Sequence, residues 1–114
     1  MYVYTLPHYL TVPASPTDGR TWLKVGWTAG SPEERIVAQS PFTGTPEPPV
    51  LLRVWWCDGD ARETERAVHR LLLVFGHGRR AVRGAGREWF LTSLEVLDEV
   101  VSVLGLRVEF ALDV

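Results

Sequence analysis

The apolar run from Val50 to Cys57 is the feature that most constrains how this chain folds. It is nearly continuous and consists mainly of β-branched and aromatic residues, so we expect a strand that is buried on both faces. Trp55 and Trp56 point to opposite faces of such a strand, and at least one of them should lie in the core. The chain has 114 residues, which is room for one core, so residues 1–114 are expected to form a single domain.

Two further strands are predicted before this run. Tyr2–Leu6 is rich in β-forming residues and ends at Pro7, and Trp22–Thr28 follows a long segment of turn-forming residues. These two strands should pair antiparallel as a hairpin with a long loop. We therefore expect an α/β (α+β) fold with a small, mainly antiparallel, three-stranded sheet flanked by helices. Residues Arg107–Leu112 alternate well enough to form a terminal strand.

Capping residues and apolar periodicity predict three helices. Their expected bounds are Pro32–Gln39, Ala61–Phe75 and Leu94–Leu104, with Asp60 capping the second helix and Thr92 capping the third. Glu65 and His69 are one helical turn apart at the edge of the apolar arc of the longest helix. We expect them to be neither deeply buried nor freely exposed.

The composition limits the cellular compartments, binding sites and partners to be expected for this protein. Cys57 is the only cysteine, which excludes a disulfide framework and a cysteine-based zinc site and favours a cytoplasmic location. No apolar stretch approaches the roughly 18 residues that a membrane span needs. The net charge of −2 argues against a protein that coats nucleic acid. However, a glycine-rich segment that reaches Glu88 carries four arginines, Arg79, Arg80, Arg83 and Arg87, and such segments grip phosphates.

Five short motifs occur in a definite order along the chain. They are Tyr2-Val3-Tyr4, Lys24-Val25-Gly26-Trp27-Thr28, Glu34-Arg35-Ile36, the pair Glu65 and His69, and Glu88-Trp89-Phe90. In this order they resemble the GIY-YIG nuclease superfamily, particularly the branch whose second signature reads Lys-Ile-Gly in place of Tyr-Ile-Gly. Two positions depart from the superfamily pattern. Tyr2 stands where most members have glycine, and Lys24 replaces a tyrosine that helps align the nucleophile.

The resemblance implies a metal-dependent endonuclease that hydrolyses phosphodiester bonds in DNA. In this interpretation Glu88 is the one protein ligand of a Mg²⁺ or Mn²⁺ ion, and Arg35 clamps the scissile phosphate with its planar fork. Tyr4, assisted by His69 as proton acceptor, orients or deprotonates the attacking water. Lys24 supplies a further positive charge to the phosphate.

The expected partner is nucleic acid, DNA rather than RNA, held through the backbone by Arg79, Arg80, Arg83 and Arg87, with Trp27 and Trp89 bordering the groove. No membrane partner is expected. A domain this small has little surface for reading bases, so a homodimer or a larger complex would supply specificity.

Two other functions remain open from the sequence. One is a catalytically inactive nucleic-acid-binding module on the same scaffold, which Lys24 favours. The other is a protein-interaction domain, which a large exposed apolar patch would indicate. The individual residues also have structural alternatives, since Tyr4 could be a core aromatic and His69 could pair with Glu65 to stabilise the helix.

Overall fold

A five-stranded antiparallel sheet forms the centre of the protein. The computed structural model describes residues 1–28, 49–78 and 89–113. The strands are β1 (Tyr2–Thr5), β2 (Thr21–Gly26), β3 (Val50–Trp56), β4 (Trp89–Thr92) and β5 (Arg107–Ala111). They lie in the order β4-β2-β1-β3-β5. The helices of the described residues are α1 (Pro7–Thr11), α2 (Ala61–Val74) and α3 (Leu94–Val103).

The prediction of an α+β fold with antiparallel strands is confirmed, but the prediction of a three-stranded sheet is wrong. The three expected strands form the centre, with β1 between β2 and β3. A sheet of three strands would leave backbone N–H and C=O groups unpaired along β2 and β3. Here β4 pairs with β2 and β5 pairs with β3, which satisfies both rows and widens the sheet to five strands.

The two faces of the sheet have different neighbours. On the face covered by α2 and α3, which we call the helix face, Val3, Val25 and Phe90 pack against apolar side chains of both helices. On the opposite face, which we call the tyrosine face, Tyr2 and Tyr4 form a smaller buried cluster with Val54. Successive residues of a strand point to opposite faces, so the main core lies on the helix face.

The prediction that at least one of the two adjacent tryptophans of β3 lies in the core is confirmed. Trp55 is 1% exposed and packs on the helix face, whereas Trp56 is 51% exposed. Leu52, Val54 and Trp55 are buried, but the other residues of β3 are partly buried or exposed, so the strand is less buried than predicted.

The helix boundaries correct two predictions. Asp60 caps α2 as expected, because its side chain accepts a hydrogen bond from the Arg62 N–H at 2.9 Å. The helix expected to reach Phe75 ends at Val74, and Phe75 follows it as the C-cap residue and is 59% exposed. The cap of α3 is Ser93 and not Thr92, since the Ser93 hydroxyl accepts from the Val96 N–H at 3.3 Å. Thr92 is instead the last residue of β4.

The short helix α1 is absent from the sequence prediction. It begins at Pro7, a residue suited to the first turn of a helix because it has no N–H to leave unpaired. The helix anchors to β2 through the Thr21 hydroxyl, which donates to the Tyr9 carbonyl at 2.9 Å. The helix expected at Pro32–Gln39 lies outside the described residues. Within those that are described, no helix is long and apolar enough to cross a bilayer.

Candidate functional site

Tyr4 and Lys24 meet at the centre of the tyrosine face. The two residues are direct partners in the pairing of β1 with β2, so their side chains share one side of the sheet. The Lys24 Nζ atom lies 5.3 Å from the centroid of the Tyr4 ring, within the range at which an aromatic face attracts a cation. This pairing places a positive charge beside a phenol.

Aromatic neighbours hold the Tyr4 ring in position. The Tyr2 ring stacks on it with a centroid separation of 5.7 Å and an interplanar angle of 10°. Trp89, which pairs with Lys24 from β4, meets the Tyr4 ring edge-on at 6.0 Å and 84°. The Tyr9 ring of α1 packs against Trp89 at 6.2 Å. Such pairs contribute about 0.5–1.5 kcal/mol each beyond their burial, so Tyr4 lies in a preorganised aromatic cluster.

Tyr2 occupies the space that Gly26 leaves by having no side chain. The two residues are partners across β1 and β2. A Cβ atom at Gly26 would lie 2.7 Å from the Tyr2 hydroxyl oxygen and 2.8 Å from its Cζ atom, closer than such atoms approach in real structures. The Tyr2 ring therefore needs a glycine at position 26 of the neighbouring strand.

His69 and Glu65 lie on the helix face and are more buried than expected. Their exposed fractions are 6% and 9%. The His69 ring packs 4.7 Å from the ring of Phe90, and the Glu65 Oε1 atom lies 3.7 Å from His69 Nε2. The prediction that this pair is only partly buried is wrong, because α2 packs closely against β2 and β4 through this side.

The His69 Nε2 atom is 2.9 Å from the backbone carbonyl oxygen of Val25. A carbonyl oxygen only accepts hydrogen bonds, so Nε2 carries a proton and donates it to Val25. Val25 follows Lys24 directly in β2, and adjacent strand residues face opposite sides of the sheet. The structure therefore brings Tyr4 together with Lys24 on one face and His69 together with Glu65 on the other, and it does not bring His69 to Tyr4.

The other predicted site residues, Arg35, Glu88, Arg79, Arg80, Arg83 and Arg87, lie outside the described residues. The two residues that flank segment 79–88 are described, and both lie at β4. The Gly78 carbonyl accepts a hydrogen bond from the Leu91 N–H at 2.9 Å, and Trp89 is the first residue of the strand. The residues on both sides of the arginine-rich segment therefore adjoin β4, whose first residue, Trp89, pairs with Lys24 on β2.

Residues 1–28, 49–78 and 89–113 hold no cluster of three histidine, cysteine or acidic side chains that could bind a metal ion. Lys24 and Tyr4 present an ammonium and a phenol, which do not suit Mg²⁺, an ion that prefers carboxylate oxygens and water. A divalent cation at the tyrosine face therefore needs a carboxylate from another part of the chain. Glu88 has a carboxylate, and it directly precedes Trp89, which lies against Tyr4 on the tyrosine face.

Sequence reasoning misses Tyr9 and His77. It assigns the residues of α1 to a loop, although Pro7 is a usable signal for a helix start. It gives His77 no role, yet this residue is buried between the end of α2 and β4. Burial lowers the pKa of His77 below its ordinary value, and the nearby Arg20 guanidinium lowers it further. Trp27, expected to border a groove, is half-buried with the Arg62 guanidinium 5.3 Å from its ring centroid.

The described elements define a small α+β protein with a lysine–tyrosine pair on one face of an antiparallel sheet. Residues 1–105 match the T5orf172 domain, and the chain belongs to this family. The family is related to nuclease-like proteins of bacteriophages. The match covers every described element except β5, which begins at Arg107. Comparisons with curated proteins and with solved structures gave no match.

Proposed function

We propose that this protein is a metal-dependent endonuclease of the GIY-YIG type that hydrolyses phosphodiester bonds in DNA. The observation that carries the proposal is the pairing of Tyr4 with Lys24 across β1 and β2, with Trp89 as the next neighbour of both. Trp89 follows Glu88 directly in the sequence, and it shares the tyrosine face with Tyr4 and Lys24, which supports a role for Glu88 at this face. The nuclease-like character of the family supports this assignment.

Phosphodiester hydrolysis needs a positioned water molecule, neutralisation of the charge on the phosphate, and a stabilised leaving oxygen. The Tyr4 hydroxyl would orient the attacking water, since the cluster around it fixes the ring. The Lys24 ammonium and the Arg35 guanidinium would bind the phosphate oxygens. Glu88 would hold a Mg²⁺ or Mn²⁺ ion, which supplies Lewis-acid stabilisation of the phosphate oxygens when it is bound.

His69 enters the proposal as a positioning residue. Its Nε2 proton is engaged by the Val25 carbonyl, so this nitrogen does not serve as the proton acceptor. The hydrogen bond ties α2 to the backbone of β2 one residue after Lys24. Through this bond His69 would keep β2, and with it the Lys24 side chain, in place against Tyr4.

The four arginines of segment 79–88 would grip the DNA backbone. The residues that flank the segment, Gly78 and Trp89, both lie at β4, and Trp89 belongs to the tyrosine face. Arginine side chains bind phosphates without regard to sequence. The nucleic acid is therefore held by its backbone close to the proposed cleavage site, and sequence specificity would come from a second copy or from a larger complex.

A cleavage assay tests the proposal. Supercoiled plasmid and single-stranded DNA are incubated with Mg²⁺ or Mn²⁺ and with wild type, Glu88→Ala or Glu99→Ala. Glu99 is an exposed carboxylate on α3 and serves as the matched control. We expect metal-dependent nicking by wild type and Glu99→Ala, and a loss of about 100-fold or more in Glu88→Ala.

Other outcomes of this assay would contradict the proposal. A wild-type protein that binds DNA but never cuts it with either metal would instead be a binding module on the same scaffold. Equal cleavage by Glu88→Ala and Glu99→Ala would remove Glu88 from the site.

A further inference from the structure

Two aromatic rings are exposed on the neighbouring strands β3 and β5. Trp56 is 51% exposed and Phe110 is 41% exposed, although aromatic side chains of this size usually gain stability by burial. A single exposed ring needs no explanation, whereas exposed apolar side chains on neighbouring strands indicate an interaction site.

The pairing of β3 with β5 places both rings on the tyrosine face. Phe110 pairs directly with Val54, which belongs to the buried cluster of that face, and direct partners share a side of the sheet. Trp55, the next residue of β3, packs in the core of the helix face. Trp56 therefore turns back to the tyrosine face, where its partner on β5 is Arg107.

Asp58 holds the Trp56 ring and the Arg107 guanidinium side by side. Its Oδ1 atom accepts a hydrogen bond from Trp56 Nε1 at 2.9 Å and lies 3.7 Å from Arg107 Nη2. The bond fixes the indole by its edge, which leaves the face of the ring free to stack on a flat ligand. A side chain that is already held in place loses less conformational entropy when it binds.

The charges on this face complement a phosphate. Among the described strand residues whose facing the pairing sets, those with a charge on the tyrosine face are Lys24 and Arg107, and both are positive. Arg53 instead turns to the helix face, where it bonds to Asp98 of α3. Rings that stack bases, next to cations that bind phosphates, are the two components of a surface for single-stranded nucleic acid.

We propose that Trp56 and Phe110 stack the bases of unpaired nucleotides, so that the DNA on which this protein acts contains a single-stranded segment. The inference rests on the proposed nuclease function and adds its substrate class. β5 lies two strand positions from β1, a separation of roughly 10 Å. A strand held on the two rings is thus close to Tyr4. A base inside a duplex has both faces covered by its neighbours, so the rings select unpaired nucleotides.

The experiment measures the Kd of the full chain for a labelled oligothymidine and for a duplex of the same length, by fluorescence anisotropy in EDTA. The variants are Trp56→Ala, Phe110→Ala and Trp56→Phe, which keeps a ring. Phe75→Ala is the matched control, because Phe75 is 59% exposed at the end of α2, on the helix face. Urea denaturation shows that each variant is folded.

Wild type should bind the single strand more tightly than the duplex. Each alanine variant on the tyrosine face should raise the Kd for the single strand by about tenfold and change duplex binding much less. Trp56→Phe and Phe75→Ala should stay close to wild type. A wild type that binds the single strand no better than the duplex, or alanine variants that bind the single strand as wild type does, would overturn the proposal.

A cleavage assay with Mg²⁺ separates this inference from the proposed function. If wild type cuts DNA and the alanine variants bind and cut single strands equally well, the stacking role is wrong and the nuclease function stands. If wild type shows the predicted binding but never cuts, the nuclease function is wrong and the stacking role stands.

Discussion

The Lys24 Nζ atom lies 5.3 Å from the centroid of the Tyr4 ring, on the neighbouring strand of the sheet. The superfamily that this chain resembles usually carries a second tyrosine where Lys24 stands. The substitution replaces a hydrogen-bonding phenol with a full positive charge in contact with the remaining tyrosine. A charge at this place suits the binding of a phosphate better than the alignment of a water molecule.

Replacing Lys24 with methionine should impair cleavage. The change keeps the length of the side chain but removes the charge that would neutralise the phosphate, so we expect kcat/KM to fall by about 100-fold. Lys24→Arg, which keeps the charge, should retain more activity. Steady-state cleavage of a labelled DNA duplex measures both. Equal activities of wild type and Lys24→Met would show that the charge has no role in the reaction.

Gly26→Ala should destabilise the fold by about 1–3 kcal/mol, because the new Cβ atom would overlap the Tyr2 ring. Urea denaturation gives the free energy of unfolding. Tyr2→Leu removes the far end of the ring, so adding this change to Gly26→Ala should cost less than the sum of the two single changes. If the two costs simply add, the Tyr2 ring is not what excludes a side chain at position 26.

His69→Ala should lower the free energy of unfolding by about 1–3 kcal/mol, since the buried Val25 carbonyl loses its donor. The remaining cleavage activity should keep the pH profile of the wild type, because a positioning residue does not take up the proton. His69→Gln, which retains an N–H donor, should recover part of the stability. A variant of normal stability whose pH profile loses its acidic limb would instead make His69 the general base.

The buried His77 should make the fold less stable in acid. Its pKa is lowered by burial and by the Arg20 guanidinium, with the Asp18 carboxylate opposing in part. The folded protein therefore binds fewer protons at this site than the unfolded chain, whose histidines titrate near 6.5. His77 therefore does not reduce the free energy of unfolding above the unfolded-state pKa of 6.5. As the pH falls from there toward the lowered folded-state pKa, the free energy of unfolding decreases.

Urea denaturation at about pH 7.5 and about pH 5 measures this effect. His77→Gln should reduce the loss of stability between the two pH values. His8→Gln, at an exposed histidine of α1, should leave it unchanged. If His77→Gln and wild type lose the same stability, the dependence on pH arises from other groups.

The central strands and the two long helices were predictable because their signals are local. The apolar run that includes β3 and the Asp60 cap of α2 each identify an element from neighbouring residues alone. The number of strands was not predictable in this way. Whether Trp89–Thr92 joins the sheet depends on pairing with β2, which is distant in sequence, and the four residues carry no period of their own.

The motifs in the sequence do not show which predicted site residues lie on the same face of the sheet. The order of the motifs along the chain suggests that Tyr4, Lys24 and His69 form one site. In the structure they lie on two different faces of the sheet. Tyr4 and Lys24 lie on the tyrosine face, whereas His69 bonds to the backbone of β2 from the helix face. Motif spacing contains no information on this division, because the packing of α2 against one side of the sheet decides it.

The most direct test of the account compares Tyr4→Phe with Tyr2→Phe. The two tyrosines lie on the same strand and the same face, stacked on each other at 5.7 Å, and both are 1% exposed. Each change removes one hydroxyl from the same buried cluster. The measurement is single-turnover DNA cleavage with Mg²⁺ or Mn²⁺, with stability checked by urea denaturation. We predict that Tyr4→Phe lowers the cleavage rate by about 100-fold or more, while Tyr2→Phe stays close to wild type. Equal rates for the two variants would contradict the role of Tyr4 in the reaction.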